Sequence, residues 1–274
     1  MDLSQVKLIA TDMDGTLLNS ESRVSNRFFE LFEELNRHGI SFVAASGRQY
    51  HSIVAKLESI RDDITIIAEN GAITKRRDKD LLVTPLPGHI IKETVSLLRP
   101  VEDAYMVLCG KKRAYIDTDN PAFENMFREY YYEYAKVPDL TQVTDDEPLK
   151  IAIYSFGGSE KNIYPHVRHL EGSLQVKVSG ENWLDLSSPD ANKGHALQQL
   201  QEQLQITREE TLVFGDYNND LEMMDRAYFS YAMKNAHPNV LNAARYQTLS
   251  NDENGVEHIL EKLLNARKAA IANS

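Results

Sequence analysis

The run Leu8-Ile9-Ala10-Thr11-Asp12-Met13-Asp14-Gly15-Thr16 sets a short apolar strand against two carboxylates one residue apart. Side chains alternate along a strand, which would send Asp12 and Asp14 to one side, yet Gly15 can bend the chain there and free a main-chain carbonyl. Alternation therefore leaves the roles of the two acids open. An Asp-x-Asp-Gly-Thr run can equally be an ordinary turn, since Asp and Gly are the usual turn residues. What separates a turn from a metal-assisted phosphate site is the chemistry at the ends of the other strands.

Outward from that run the chain reads strand, helix, strand, helix, strand. Ser25 can cap a helix that carries Phe28, Phe29, Leu31, Phe32 and Leu35 on a helical period and closes at Gly39. Apolar runs at 40–45 and 64–68 are the second and third strands, with a helix around 53–57 between them. The same grammar returns late: a helix at 196–204, a strand at 211–214, a helix after Asn219, a strand at 229–233 and a last helix from Val256. Short apolar strands alternating with helices imply a parallel sheet covered on both faces. Between the two stretches, Thr84-Pro85-Leu86-Pro87-Gly88 breaks the pattern. The expected fold is α/β, a Rossmann-like doubly wound parallel sheet core at 1–83 and 188–274 with an inserted α+β cap domain at 84–187. In the insert, helices are expected at 90–98 and after Pro121, and strands at 104–108, 114–116, 150–156 and 174–178. The aromatic cluster Tyr130-Tyr131-Tyr132-Glu133-Tyr134 reads as packing of a cap helix onto its sheet rather than as substrate contact.

Composition bounds the function. At 274 residues, with 42% hydrophobic and 26% charged residues, the chain is globular rather than disordered, fibrous or membrane-spanning. A net charge of -11 opposes nonspecific binding to nucleic acid or anionic lipid, although a small anion can still bind where a cation is supplied locally. No basic and apolar leader opens the sequence, so a cytoplasmic location is expected, with no nucleic-acid or membrane partner and a monomer or weak homodimer. The single cysteine, Cys109, allows no internal disulfide and reads as a buried strand residue.

Ligands of doubly wound sheets bind outside the carboxyl ends of the strands. Those positions hold Asp12 and Asp14, then Ser46-Gly47-Arg48, then Glu69-Asn70-Gly71, and late in the chain Gly215-Asp216-Tyr217-Asn218-Asn219-Asp220. Ser46 and Gly47 precede a helix, where a hydroxyl and free N–H groups can hold phosphate oxygens, or Ser46 can be a plain N-cap. Asp216 would bring a third carboxylate to a hard cation. Lys193, in Asp190-Ala191-Asn192-Lys193-Gly194, would supply the cation that an acidic site lacks.

Four motifs, Asp12-Met13-Asp14-Gly15-Thr16-Leu17-Leu18, Ser46-Gly47-Arg48, Lys193-Gly194 and Gly215-Asp216-Tyr217-Asn218-Asn219-Asp220, in this order and at this separation, resemble the haloacid dehalogenase superfamily, specifically the Cof-type phosphatases with a large α+β cap between the second and third motifs. Ala232-Met233-Lys234-Asn235-Ala236 and Asn254-Gly255-Val256 are also similar to that branch, with Lys234 where Gly is commoner. Asp185, in Trp183-Leu184-Asp185-Leu186, stands where Glu is more usual. The resemblance implies a Mg²⁺-dependent phosphatase acting on a small phosphorylated metabolite through an aspartyl phosphate. Asp12 is then the nucleophile and Asp14 the acid and base. Mg²⁺ would sit among the Asp12 carboxylate, the Asp14 main-chain carbonyl and Asp216. Met13 N–H, Ser46, Gly47 N–H, Lys193 and Asn219 would hold the transferring oxygens. Asp220 would orient Lys193 or the metal shell, Arg48 would touch substrate or form an ion pair, and Asn70 and Gly71 would line the pocket facing the cap. A phosphomutase on the same scaffold and a non-hydrolytic phosphometabolite sensor are the alternatives.

Overall fold

The computed structural model describes residues 2–128, 130–131 and 133–272, so Tyr132 of the aromatic cluster lies outside the described residues. The chain enters through β1 (Leu8–Asp12), every residue of which is buried. Helix α1 (Asn26–Arg37) starts where Ser25 Oγ accepts the Phe28 N–H at 3.0 Å, and it buries Phe28, Leu31, Phe32 and Leu35 at the three-and-four spacing of one helix face. Phe28 and Phe32 meet Phe42 of β2 (Ser41–Ala45), with ring centroids 5.2 and 5.8 Å apart. After α2 (Tyr50–Lys56), β3 (Thr65–Ala68) pairs parallel to β2, as β2 does to β1. Two strands were not foreseen in the sequence: β4 (Ile73–Arg76), antiparallel to β3, and β5 (Lys79–Val83), which forms the sheet edge. Their run Lys75-Arg76-Arg77-Asp78-Lys79-Asp80 carries the charge expected of an edge strand and hides the apolar alternation.

The chain divides into two compact units, Met1–Leu82 with Asn192–Ser274, and Val83–Ala191. The second unit runs α3 (Gly88–Leu98), β6 (Tyr105–Gly110), β7 (Ala114–Ile116), α4 (Pro121–Phe127), β8 (Tyr134–Lys136), β9 (Pro148–Tyr154), α5 (Ser159–Asn162), α6 (Tyr164–Val167), β10 (Gln175–Val178) and β11 (Trp183–Ser187). Its sheet has the order β10-β11-β9-β6-β7-β8. Strand alternation sends Leu108, Ile151, Ile153, Leu184 and Leu186 to one face, against Ile91, Val95 and Leu98 of α3. Val107, Cys109, Ala152 and Tyr154 go to the other, against Phe123 and Phe127 of α4. Cys109 is thus a buried strand residue, its Sγ 3.5 Å from Tyr131 Oη. The tyrosine run departs from the expected helix face. Helix α4 ends at Phe127, Tyr131 stacks on Phe127 at 4.6 Å, Tyr134 already belongs to β8, and Tyr130 is 53% exposed.

Returning to the first unit, the chain forms α7 (Lys193–Leu204), β12 (Thr211–Gly215), α8 (Leu221–Met224), β13 (Phe229–Ala232), α9 (Pro238–Ala243), β14 (Tyr246–Gln247) and α10 (Gly255–Ala272). The first sheet has the order β14-β13-β12-β1-β2-β3-β4-β5, with parallel pairing from β14 to β3. This is the doubly wound α/β core that the strand and helix alternation implies. Parallel pairing brings the carboxyl ends of β1, β2, β3 and β12 to one edge of the sheet. Lys234, at the position where Gly is commoner, is not among the described residues of positive φ, so a side chain is tolerated there; its Nζ meets both Glu253 carboxylate oxygens at 3.1 Å.

Candidate active site

Four ionisable side chains converge at the ends of β1 and β12. Lys193, the first residue of α7, has no exposed surface; its Nζ donates to Asp12 Oδ1 and, at 2.7 Å, to Asp220 Oδ1. Carboxylate oxygens of Asp12, Asp216 and Asp220 lie within 4.8 Å of one another. Asp220 is fully committed: its Oδ2 accepts the main-chain N–H of Asp216 at 3.0 Å and of Tyr217 at 3.2 Å. It braces the loop after β12 and fixes Lys193 together. Asp216 Oδ1 accepts Thr16 Oγ1–H at 2.9 Å, a link the sequence reading did not assign, although Thr16 belongs to the quoted motif. Gly15, at φ +78, passes so close that an added Cβ would stand 2.3 Å from Asp216 Oδ2, so only glycine lets the first loop reach the late one. Asn235 steadies that loop from the far side, donating from Nδ2 to Gly15 O at 2.8 Å.

Crowded burial sets the electrostatics. Desolvation raises the Asp12 carboxyl well above the ordinary range; the Lys193 ammonium pulls it back while Asp220 and Asp216 push it further up. Burial, then the neighbouring Asp220, raise Asp216 to about 6. Burial opposes the charge on Lys193, but Asp12 and Asp220 outweigh it and hold the ammonium protonated. One ammonium against three carboxylates leaves negative charge in excess. Asp12 Oδ2 and Asp216 Oδ2 carry no protein hydrogen bond among the described residues. Two such oxygens beside an uncompensated negative charge suit a hard divalent cation, which takes one or two carboxylates and fills its remaining positions with water and phosphate.

The other expected residues form two further groups. The Asp14 carboxylate turns outward and is gripped by Arg48, at 2.6 Å to each oxygen, so the ion-pair alternative for Arg48 is the one realised. Asn219 Nδ2 donates to Asn70 Oδ1 at 3.1 Å, and a Cβ on Gly47 would touch the same Asn70 amide at 3.1 Å. Asn70 holds a left-handed conformation, φ 55°, which Asn tolerates better than most residues, and Gly71 follows at φ +102 against the Asn192 main chain. Ser46 is buried, with its N–H on Ile67 O at 2.9 Å and its Oγ accepting the Arg48 N–H at 3.1 Å. It is not a helix N-cap. Helix α2 begins only at Tyr50 behind Gln49, because the Ser46 hydroxyl closes a tight turn and delays the helix. Met13 is buried, and its carbonyl accepts Leu18 N–H at 2.7 Å.

A family model described as haloacid dehalogenase-like hydrolase matches residues 9–260. The chain is 32% identical over 267 residues to 5-amino-6-(5-phospho-D-ribitylamino)uracil phosphatase YbjI of Escherichia coli (strain K12), covering 94% of this chain and 96% of that protein. Phosphatase YwpJ of Bacillus subtilis (strain 168) is 29% identical over 298 residues, covering 94% of this chain and all of that one, 100%. Among solved structures, SMU.1108c from Streptococcus mutans UA159 superposes with a TM-score of 0.86 at 29% identity, covering 95% of this chain and 99% of that one. Together with the four motifs, these matches establish that the chain belongs to the haloacid dehalogenase-like hydrolases, in their Cof-type phosphatase branch.

Proposed function

We propose that the protein is a Mg²⁺-dependent phosphatase of small phosphorylated metabolites, a sugar phosphate or similar phosphomonoester, working through an aspartyl phosphate. The observation that carries the reading is the buried Lys193 bridging Asp12 and Asp220, with Asp216 alongside, at the carboxyl ends of β1 and β12. Asp12 and Asp216 would hold the cation, with the Asp14 main-chain carbonyl; when bound, it offsets the repulsion between an anionic nucleophile and an anionic substrate.

The residues divide the chemistry. An Asp12 carboxylate oxygen forms a bond to phosphorus as the ester P–O bond breaks, and Asp14, released from the Arg48 fork and protonated from solvent as substrate enters, gives its proton to the departing alkoxide. Asp14, now a carboxylate, takes a proton from water as that water opens the acyl phosphate, releasing phosphate and restoring Asp12. Lys193 orients Asp12 and, with two of its three N–H groups committed, leaves the third for a transferring oxygen. Ser46, the N–H groups of Met13 and Gly47, and Asn219 complete the cradle. Asp220 positions Lys193 and the Asp216 loop. Asn70 and Gly71 shape the wall beside Asn219.

Phosphate release should require Mg²⁺ and vanish in Asp12→Asn while the melting transition survives. Release that persists in Asp12→Asn refutes the nucleophile assignment, an isomeric phosphoester without free phosphate indicates a mutase, and a stable acyl phosphate indicates a sensor. A panel of phosphorylated metabolites should begin with 5-amino-6-(5-phospho-D-ribitylamino)uracil, the compound in the name of the E. coli relative.

A further inference from the structure

Asn235 lies between β13 and α9 as an exposed residue, yet both ends of its side-chain amide are used by other segments. Oδ1 accepts the Asn251 N–H at 3.2 Å, and Nδ2 donates to Gly15 O at 2.8 Å. The Asn251 N–H is a donor only, so it fixes which way the amide faces and leaves Nδ2 toward Gly15. Two residues on, the His237 N–H donates to Asp216 O at 2.7 Å. One short segment thus holds a main-chain carbonyl of the first loop and one of the loop after β12.

Gly15 makes that hold consequential. At φ +78 it has no side chain to restrict it, and two peptide planes meet there, one bearing the Asp14 carbonyl and the next bearing its own. Pinning the Gly15 carbonyl restrains the swivel between them, so the Asp14 carbonyl keeps one direction. The pinned plane leads into Thr16, whose hydroxyl donates to Asp216 Oδ1 at 2.9 Å. The rest of the loop is tied separately: Leu18 O accepts an Asn251 Nδ2–H at 2.9 Å, and the Ser20 N–H donates to Asp252 Oδ1 at 2.8 Å.

We infer that Asn235 is a positioning residue for the divalent cation: through the Gly15–Thr16 peptide it sets the Asp14 carbonyl against the Asp216 carboxylate. This role rests on the proposed cation site, and Mn²⁺ binding to the full chain, followed by the EPR signal of the free ion, tests the two apart without turnover. Asn235→Ala should raise the Mn²⁺ dissociation constant about tenfold to a hundredfold, the range expected when a group that orients a metal ligand is lost. The residue is exposed, so its truncation leaves the core packed. Asp252→Ala frees the same loop at Ser20 and is the control; its Mn²⁺ affinity should match the parent's. An Asn235→Ala protein that binds Mn²⁺ as the parent does overturns the role. So does equal weakening in Asp252→Ala, which would mark a general loosening of the loop. A parent that binds no Mn²⁺ removes the cation site itself and this role with it.

Discussion

Arg48 holds Asp14 through both arms of its guanidinium, Nε to Oδ2 and Nη2 to Oδ1, each at 2.6 Å. The pair is half open to water, with side-chain exposures of 32% and 52%, so it contributes at most about 1 kcal/mol to stability. Its value lies in orientation. Arg48→Lys keeps the charge but loses the fork that sets the carboxylate plane. Phosphate release should fall roughly tenfold to a hundredfold while the melting temperature barely moves, a split that steady-state kinetics and a thermal scan on one preparation will show.

Lys193 behaves oppositely, since its removal leaves two buried acids facing each other. Lys193→Met should cost about 3–5 kcal/mol in chemical denaturation as well as abolishing turnover. Adding Asp220→Asn should return part of that loss, so that the double variant is more stable than the sum of its parts. Strict additivity would show that the bridge does not couple them.

Gly194→Ala sets two effects against each other. Alanine in place of glycine favours a helix by about 1 kcal/mol. The new Cβ, however, would stand 2.4 Å from the Glu222 carbonyl oxygen, a main-chain atom that cannot rotate away. Overpacking of this kind costs about 1–3 kcal/mol, so the substitution should destabilise. It should also lower activity by displacing Lys193 next door, and denaturation with an activity assay would show both.

The fold was legible where side-chain period and burial coincide, as in β1 and α1. Charge obscured β4 and β5, because the run that joins them at the edge of the sheet, where β5 lies, carries lysine, arginine and aspartate in place of the apolar residues that announce a strand. At the site, the sequence could locate Asp12, Asp216 and Lys193 at strand and helix ends. It could not show that Arg48 reaches back 34 positions to Asp14, or that Thr16 crosses 200 to Asp216, because such contacts depend on three-dimensional approach rather than on spacing.

Glu253 supplies a pH prediction away from the catalytic chemistry. The Ser250 hydroxyl, the Ser250 N–H and Lys234 hold its carboxyl down at about 2, from an ordinary value of 4.5. A depressed folded-state value means stability that is present above about 4.5 and lost as pH falls through about 2. Glu253→Gln should therefore melt earlier than the parent at neutral pH, and the gap should close in acid. Melting curves across that range would check it.

Asp216 is the sharper probe of the cation. Asp216→Asn removes one of the two open carboxylate oxygens, so the Mg²⁺ concentration for half-maximal release should rise at least tenfold. Removing the ion with chelator should abolish release in the parent, and restoring Mg²⁺ should recover it.

The bridge from Lys193 to Asp12 joins positions 181 apart, and β1 finds its partner β12 across a similar stretch. Contacts that distant in sequence form late, because their loop-closure entropy is lost before any contact offsets it. The strands of the second unit pair over far shorter separations and surround Trp183. During refolding, tryptophan fluorescence should therefore reach its native value before activity returns, and the lag between the two would time the meeting of the chain's halves.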